Sequence, residues 1–269
     1  MSKDFIRYLN ILGIKKVKPS LSELKKIIQA QLKIIPFENI SKLYYLKTSG
    51  FKGIPTLNEF LDGIEKYNFG GTCYANNFHL YQLLRYLGYD VLLCGANMKQ
   101  KDVHIVNIVK IDGTEFIVDV GYAAPFLEPI PRNLLNDYKI TFGTSEYVFS
   151  PIDSANHSKL SFYRESELEH GYQINPKPRH IHEFAQVVEE SYRPDATFMN
   201  SILIVRYESD YSQLIHNKTF IETSGSNTKK RSLNTLKELE ATIEEVFRIP
   251  SNISNLALKD LAFTKSAWS

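Results

Sequence analysis

The hydrophobic pattern of this chain changes once, near residue 90, and that change limits the folds open to it. The first ninety residues are helix-like. Ser20-Leu21-Ser22-Glu23 has the spacing of a capping box, and Thr56-Leu57-Asn58-Glu59 repeats it, each opening an apolar-periodic stretch. A short helix before Gly13 and another from Tyr74 to Leu87, stopped at Gly88, complete a four-helix region. Pro36 ends the second helix and sends Ile35 to Ile40 into a loop. From Val91 to about Tyr207 the chain turns to short β-type runs broken by turn residues, among them Tyr138 to Phe142, Glu146 to Phe149, Lys159 to Tyr163 and Ser201 to Tyr207. These suggest a small barrel or sandwich. The tail offers a strand near Lys218 to Glu222, a loop over Ser224 to Thr228, and a helix from about Asn234 to Phe247. Leu236, Leu239, Ile243 and Val246 give that helix an apolar side. The expected class is α/β of the segregated, α+β kind, with divisions at about 1–90, 91–207 and 208–269.

With 269 residues and 43% hydrophobic content, such a chain can bury a sizeable core. Its formal charge of +2 gives no electrostatic case for nucleic acid. The clusters Lys15-Lys16-Val17-Lys18 and Lys229-Lys230-Arg231 read as solvated faces. Met1-Ser2-Lys3-Asp4 shows no secretory pattern, and no apolar run approaches membrane-spanning length. Two cysteines do not make a disulfide framework, so free thiols in a reducing cytoplasm are expected.

One of those cysteines sits where chemistry is possible. Gly70-Gly71-Thr72-Cys73 runs straight into the helix from Tyr74, which sets a thiol at the helix mouth. Unpaired backbone N–H groups and the helix dipole favour negative charge there. The glycines allow close approach of the backbone to a substrate, and Thr72 is the expected N-cap. A cysteine at a helix start is more often ordinary packing, so the case rests on what lies downstream.

Asp112-Gly113 between two β-rich runs is a hairpin signal. A two-residue turn there puts Ile111 opposite Thr114 and Lys110 opposite Glu115, an opposite-charge pair. In the same register Asp119 falls opposite Val106, two residues from His104, so His104 and Asp119 project from one face as diagonal neighbours. Asp119 interrupts Phe116-Ile117-Val118 and Val120, and a carboxylate in so apolar a run needs a partner. A carboxylate-held imidazole accepts a thiol proton, which makes Cys73-His104-Asp119 a candidate relay. Cys94, in Val91-Leu92-Leu93-Cys94, reads as core. His79 reads as a packed or surface residue. His180 and His182 have no third ligand at suggestive spacing, so no metal is expected. The glycines at 70, 71 and 121 match no dinucleotide or phosphate-loop spacing.

These motifs together resemble those of the arylamine N-acetyltransferases. Pro36-Phe37-Glu38-Asn39 is similar to the family's early motif. Gly70-Gly71-Thr72-Cys73-Tyr74, with Asn77 following, is similar to its nucleophile motif. His104-Ile105-Val106 and Val118-Asp119-Val120-Gly121-Tyr122 are similar to the strands carrying its histidine and aspartate, and Pro194-Asp195-Ala196-Thr197-Phe198, more loosely, to a later motif near coenzyme A. The resemblance implies an N-terminal helical bundle, a central β-barrel and a C-terminal α/β lid around a cysteine-protease-like Cys-His-Asp core. It implies a ping-pong reaction in which Cys73 takes an acetyl group from acetyl-CoA, a cosubstrate, and an arylamine or hydrazine removes it. Amides at the helix start, that of Cys73 included, become oxyanion donors. Gly121, Tyr122, Ala123, Ala124 and Thr197 are then the coenzyme-contacting residues. Three departures accompany it. Phe69 replaces the family's usual arginine and leaves Glu38 without its expected charge partner. Ala75 stands for a glutamate, and Ala123-Ala124 for glycines. An amide synthase or thiol hydrolase with another acyl donor, and a non-catalytic binding relative, stay open as alternatives.

Overall fold

The computed structural model describes residues 2–267, so Met1 of the opening Met1-Ser2-Lys3-Asp4 run lies outside the described residues. The N-terminal part contains α1 (Ser2–Leu12), α2 (Leu21–Ile34), β1 (Phe37–Glu38), α3 (Ile40–Ser49), α4 (Leu57–Tyr67) and α5 (Cys73–Leu87). Both capping signals open helices. The Ser20 side chain accepts from the Glu23 N–H, and Thr56 with Glu59 forms the reciprocal box. Five helices replace the expected four, because the loop drawn over Ile35–Ile40 is a two-residue strand leading into α3. Pro36 does end α2. What it releases is captured by pairing: Phe37 and Glu38 lie antiparallel to Val205 and Ile204, and the Glu38 N–H donates to the Gly71 carbonyl at 3.1 Å. Those partners lie far away in sequence, out of reach of local propensity.

The middle of the chain is one antiparallel sheet of β2 (Asp90–Asn97), β3 (His104–Ile111), β4 (Thr114–Val118), β5 (Ile130–Pro131), β6 (Tyr138–Phe142), β7 (Ser145–Ser150), β8 (Ser158–Arg164) and β9 (Glu167–Pro178). Its order, β5-β4-β3-β2-β9-β8-β7-β6, describes a curled half-barrel whose edge strands β5 and β6 do not pair with each other. The β3–β4 hairpin has the expected register, Ile111 facing Thr114 and Lys110 facing Glu115. Asp112 and Gly113 both take positive φ, 49° and 80°, as the turn of a right-twisted hairpin demands. Inside the curl, Phe126, Phe149, Leu160, Phe162 and Ile174 pack as a core.

After α6 (Ala185–Glu190), a second sheet runs β1-β10-β11-β12-β13, with β10 (Leu203–Glu208), β11 (Tyr211–His216), β12 (Thr219–Ser224) and β13 (Asn227–Ser232). The Ser201–Tyr207 run, read with the central strands, therefore belongs to this C-terminal sheet. The Ser224–Thr228 loop is in fact a tight turn, Ser224 pairing with Asn227 and Gly225 at φ 56°. The basic cluster Lys229-Lys230-Arg231 lies exposed on the edge strand, where lysines discourage strand addition. The last helices are α7 (Leu236–Phe247) and α8 (Ser251–Leu258). The buried side of α7 is Leu239, Thr242, Ile243 and Phe247; Leu236 is exposed and Val246 only partly covered, so the apolar stripe is turned relative to the expected one. Leu239, Ile243 and Phe247 join Ile40 and Leu43 of α3 and Ile204 and Ile215 of the sheet. At about 1.5–3 kcal/mol per buried aliphatic side chain, this cluster fixes the C-terminal sheet to the helix that follows Asn39.

Candidate active site

Cys73 opens α5, and the first intrahelical bond runs from the Asn76 N–H to the Thr72 carbonyl at 3.1 Å. The amides of Cys73, Tyr74 and Ala75 therefore precede the helical ladder and face outward from its start. Thr72 occupies the N-cap position in extended conformation, but its side chain makes no capping bond. The expected cap is absent, and those amides are left to other acceptors. The preceding glycines serve the chain itself rather than a substrate. A Cβ on Gly70 would stand 1.9 Å from the Pro36 carbonyl oxygen, so only glycine lets this segment lie against β1.

His104 and Asp119 share a face as the hairpin register requires. His104 Nε2 lies 2.8 Å from Asp119 Oδ2, and both residues are buried. Because Nε2 is taken, Nδ1 is the nitrogen left for the thiol. Cys73 Sγ donates to the Val103 carbonyl at 3.8 Å, one residue before His104, and its sulfur lies near enough to the ring to act on its charge. Burial pulls the imidazole toward its neutral form. The charge of Asp119, the hydrogen bond to it and the Cys73 sulfur together outweigh burial and raise the His104 pKa. Asp119 shifts the other way. Burial alone would raise it, yet His104, Asn77 and the Gly121 amide hold it below the usual carboxylate range.

Asp119 is saturated with donors. Oδ2 accepts from His104 and from the Tyr172 hydroxyl at 2.9 Å; Oδ1 accepts from Asn77 Nδ2 at 2.8 Å and the Gly121 N–H at 2.9 Å. Asn77 also donates to the Ile105 carbonyl at 2.6 Å and accepts from the Val120 N–H at 2.9 Å, which clamps α5 to β3 and to the segment that follows β4. This clamp brings the helix that opens at Cys73 to the strand that opens at His104. Gly121 completes the approach: a Cβ there would fall 2.7 Å from Cys73 Cα and 2.7 Å from Asn77 Nδ2. The His104 ring packs between Tyr172, centroids 5.0 Å apart, and Tyr122 at 5.5 Å. The roles of Tyr172 and Asn77 were not read from the sequence. Tyr172 lies on β9, whose pairing with β2 leaves no local signal; Asn77, one turn after Cys73, was visible as a motif residue without a partner.

The remaining candidates separate cleanly. Cys94 is buried on β2 opposite Val106, and burial pushes its thiol up to about 12. His79 is buried against Phe60, ring centroids 4.4 Å apart, and burial lowers it to about 4. His180 and His182 stack on each other 5.5 Å apart, and among the described residues no group of three or more metal-ligating side chains gathers. Tyr122 donates its hydroxyl to or accepts from His170 Nδ1 at 2.5 Å. Ala123, at φ 60°, and Ala124 are buried, with Ala124 part of the half-barrel core. Their methyl groups pack inward. Thr197 lies on a short turn that Asn39 holds through the Phe198 and Ser201 carbonyls, at 3.0 and 2.8 Å.

Phe69 is buried among Tyr44, Tyr45 and Tyr67, centroids 5.7, 5.8 and 5.2 Å away. Glu38 beside it is fully buried and accepts from the Ser41 N–H at 2.8 Å and the Gly70 N–H at 3.1 Å. No cation pairs with it among the described residues, and burial raises its pKa despite those bonds.

A family model for N-acetyltransferases matches residues 20–256 of this chain. The chain is 32% identical over 121 residues to proansamycin X synthase of Amycolatopsis mediterranei, covering 41% of this chain and 45% of that protein. It is 27% identical over 143 residues to human arylamine N-acetyltransferase 1, covering 49% and 48%. The matched stretch spans about half the length of these curated relatives. In three dimensions it is similar to the arylamine N-acetyltransferase of Mycobacterium marinum solved in complex with CoA, with a TM-score of 0.80 at 18% identity over 96% of this chain and 100% of that one. The chain belongs to the arylamine N-acetyltransferase family and has its fold. No described helix is long and apolar enough to cross a membrane.

Proposed function

We propose that this chain is an acyltransferase that moves an acetyl group from acetyl-CoA to an arylamine or hydrazine through a thioester on Cys73. The observation that carries the reading is the buried His104 ring paired with a donor-saturated Asp119 carboxylate, beside a Cys73 thiol that donates to the carbonyl of the residue before His104. Cys73 gives its proton to His104 Nδ1 and its sulfur attacks the thioester carbonyl. Negative charge builds on that oxygen, within reach of the free amides at the start of α5. The carbon–sulfur bond to coenzyme A breaks, and His104 returns the proton to the departing thiolate. An amine then attacks the acetyl-cysteine, His104 takes the amine proton, and Cys73 leaves as thiolate. Asp119 stays ionised throughout, fixing the tautomer and stabilising the imidazolium.

The coenzyme is placed along the Gly121–Ala124 turn, which meets the helix start at Gly121, with Tyr122 and Thr197 as flanking contacts. The methyl groups of Ala123 and Ala124 are spent on packing. Both thiols are free, which suits the reducing cytoplasm where we place the protein. Intact-protein mass after mixing with acetyl-CoA tests the reading: one acetyl group should map to Cys73 and be removed by an arylamine. A folded protein acylated by activated esters but never by acetyl-CoA would assign a different donor, and one acylated by neither would not be an acyltransferase.

A further inference from the structure

A cavity of about 290 Å³ opens between α3 and α4, and its lining includes none of Cys73, His104 and Asp119. Three of the side chains that line it are aromatic, Tyr45, Phe51 and Tyr67; three are charged, Glu59, Asp62 and Lys66. All three aromatic residues are half-buried, so each keeps ring surface open. The Tyr45 and Phe51 rings stand 6.5 Å apart at 85° and make a corner. Buried Phe69 backs the other two rings, 5.8 Å from Tyr45 and 5.2 Å from Tyr67. Packing thus fixes the corner in advance, which keeps the cost of ordering it on binding small.

The charges around this cavity do not balance. Asp62 accepts from Arg7 at 2.7 Å and from Lys66 at 2.8 Å, and Arg7 also holds Glu65 at 2.7 Å. Those two cations and two carboxylates cancel. Glu59 stands outside the set. Its Oε2 takes both Thr56 bonds, from the N–H at 2.8 Å and the hydroxyl at 2.7 Å, and no cation pairs with it among the described residues. Ring faces carry negative potential, so the aromatic walls and Glu59 favour the same sign of guest. An anion would be repelled by both, and a neutral guest would leave Glu59 unused.

We infer that this cavity binds an organic cation of the alkylammonium or tetraalkylammonium class, its charged head set against the Tyr45–Phe51 corner and Glu59. The space is ample for a trimethylammonium head with a short tail. The site is separate from the chemistry at Cys73, and the inference stands whether or not acyl transfer occurs.

The test is a titration of the full chain, followed by ligand-observed NMR, with choline and with its uncharged carbon isostere 3,3-dimethylbutanol. Choline should bind roughly tenfold or more tightly than the alcohol, the advantage that ring faces and a carboxylate give a cation. Glu59→Gln removes the charge while glutamine keeps the capping bond to Thr56, so the choline-to-alcohol ratio should fall several-fold in a folded protein. Phe51→Leu keeps an apolar side chain but removes one wall, and should weaken choline roughly fivefold while leaving the alcohol nearly unchanged. Partial unfolding lowers the binding of both probes together, so the ratio reads the site alone. Equal affinities for the two probes, no saturation by choline well above the millimolar range, or a choline preference unchanged in either variant would overturn the assignment.

Discussion

Two carboxyl groups flank the start of α5, both buried, and their pKa values move in opposite directions. Asp119 meets an imidazole, a phenol, an amide side chain and a backbone N–H, and its pKa falls. Glu38 meets backbone amides and an aromatic wall, and its pKa rises. Burial is the same on both sides; the partner decides. One side of the helix start is thus organised by charge and the other by packing, with Phe69 and its tyrosines standing where a cation would be expected. Burial without a cation raises the pKa of Glu38, which lowers the cost of leaving its carboxyl unpaired.

The largest effect that would break this contrast is expected from Asp119→Asn. The amide can present its N–H to His104 and favour the wrong tautomer, so acyl transfer should fall by roughly 10³–10⁴-fold in a folded protein. Stopped-flow acetylation reads this, and near-normal rates would remove Asp119 from the relay.

How far the site could be read from the sequence follows the same division. The charged side was legible because its geometry is local. Asp112-Gly113 set the hairpin register, and Lys110 opposite Glu115 and His104 beside Asp119 followed from alternation alone. The helix from Cys73 to Gly88 was legible for a similar reason, its end marked by a glycine at φ 93°. The packed side was not. α3 follows a proline and a two-residue strand that exists only because Val205 and Ile204, more than 160 residues on, pair with it. Tyr172 reaches Asp119 from β9 across the sheet, and no spacing along the chain announces such a contact. Thr72 illustrates a smaller failure: its residue type suits an N-cap, but its side chain does not cap.

Phe69→Ala probes the packed side. Removing a ring enclosed by three tyrosines should cost about 3–5 kcal/mol of stability, read from urea unfolding with the denaturant slope unchanged. A cost under about 1 kcal/mol would show that packing does not hold this flank. Tyr172→Phe is gentler. It deletes one of the Asp119 donors but keeps the ring on His104, so kcat/KM for acetylation should drop roughly tenfold.

The smallest expected effect is on pH dependence, where the two carboxyls carry opposite signs. Asp119, with a lowered folded pKa, contributes stability that is present above its unfolded value and is lost as pH falls through the folded one. Glu38, with a raised folded pKa, contributes stability that is present below its unfolded value and is lost as pH rises through the folded one. Glu38→Gln should therefore flatten the decline in unfolding free energy on the way from about pH 4 to pH 8. A variant with the wild-type slope would place the titration elsewhere.

Alkylation of Cys73 by iodoacetamide, mapped by peptide and compared across wild type, Asp119→Asn and Glu38→Gln at neutral pH, tests the central claim most directly. If Asp119, held by its donors, drives the site and Glu38 does not, Cys73 should react much faster than Cys94 in the wild type. It should slow by about tenfold or more in Asp119→Asn and keep its rate in Glu38→Gln. Equal slowing in both variants, or in neither, would contradict it.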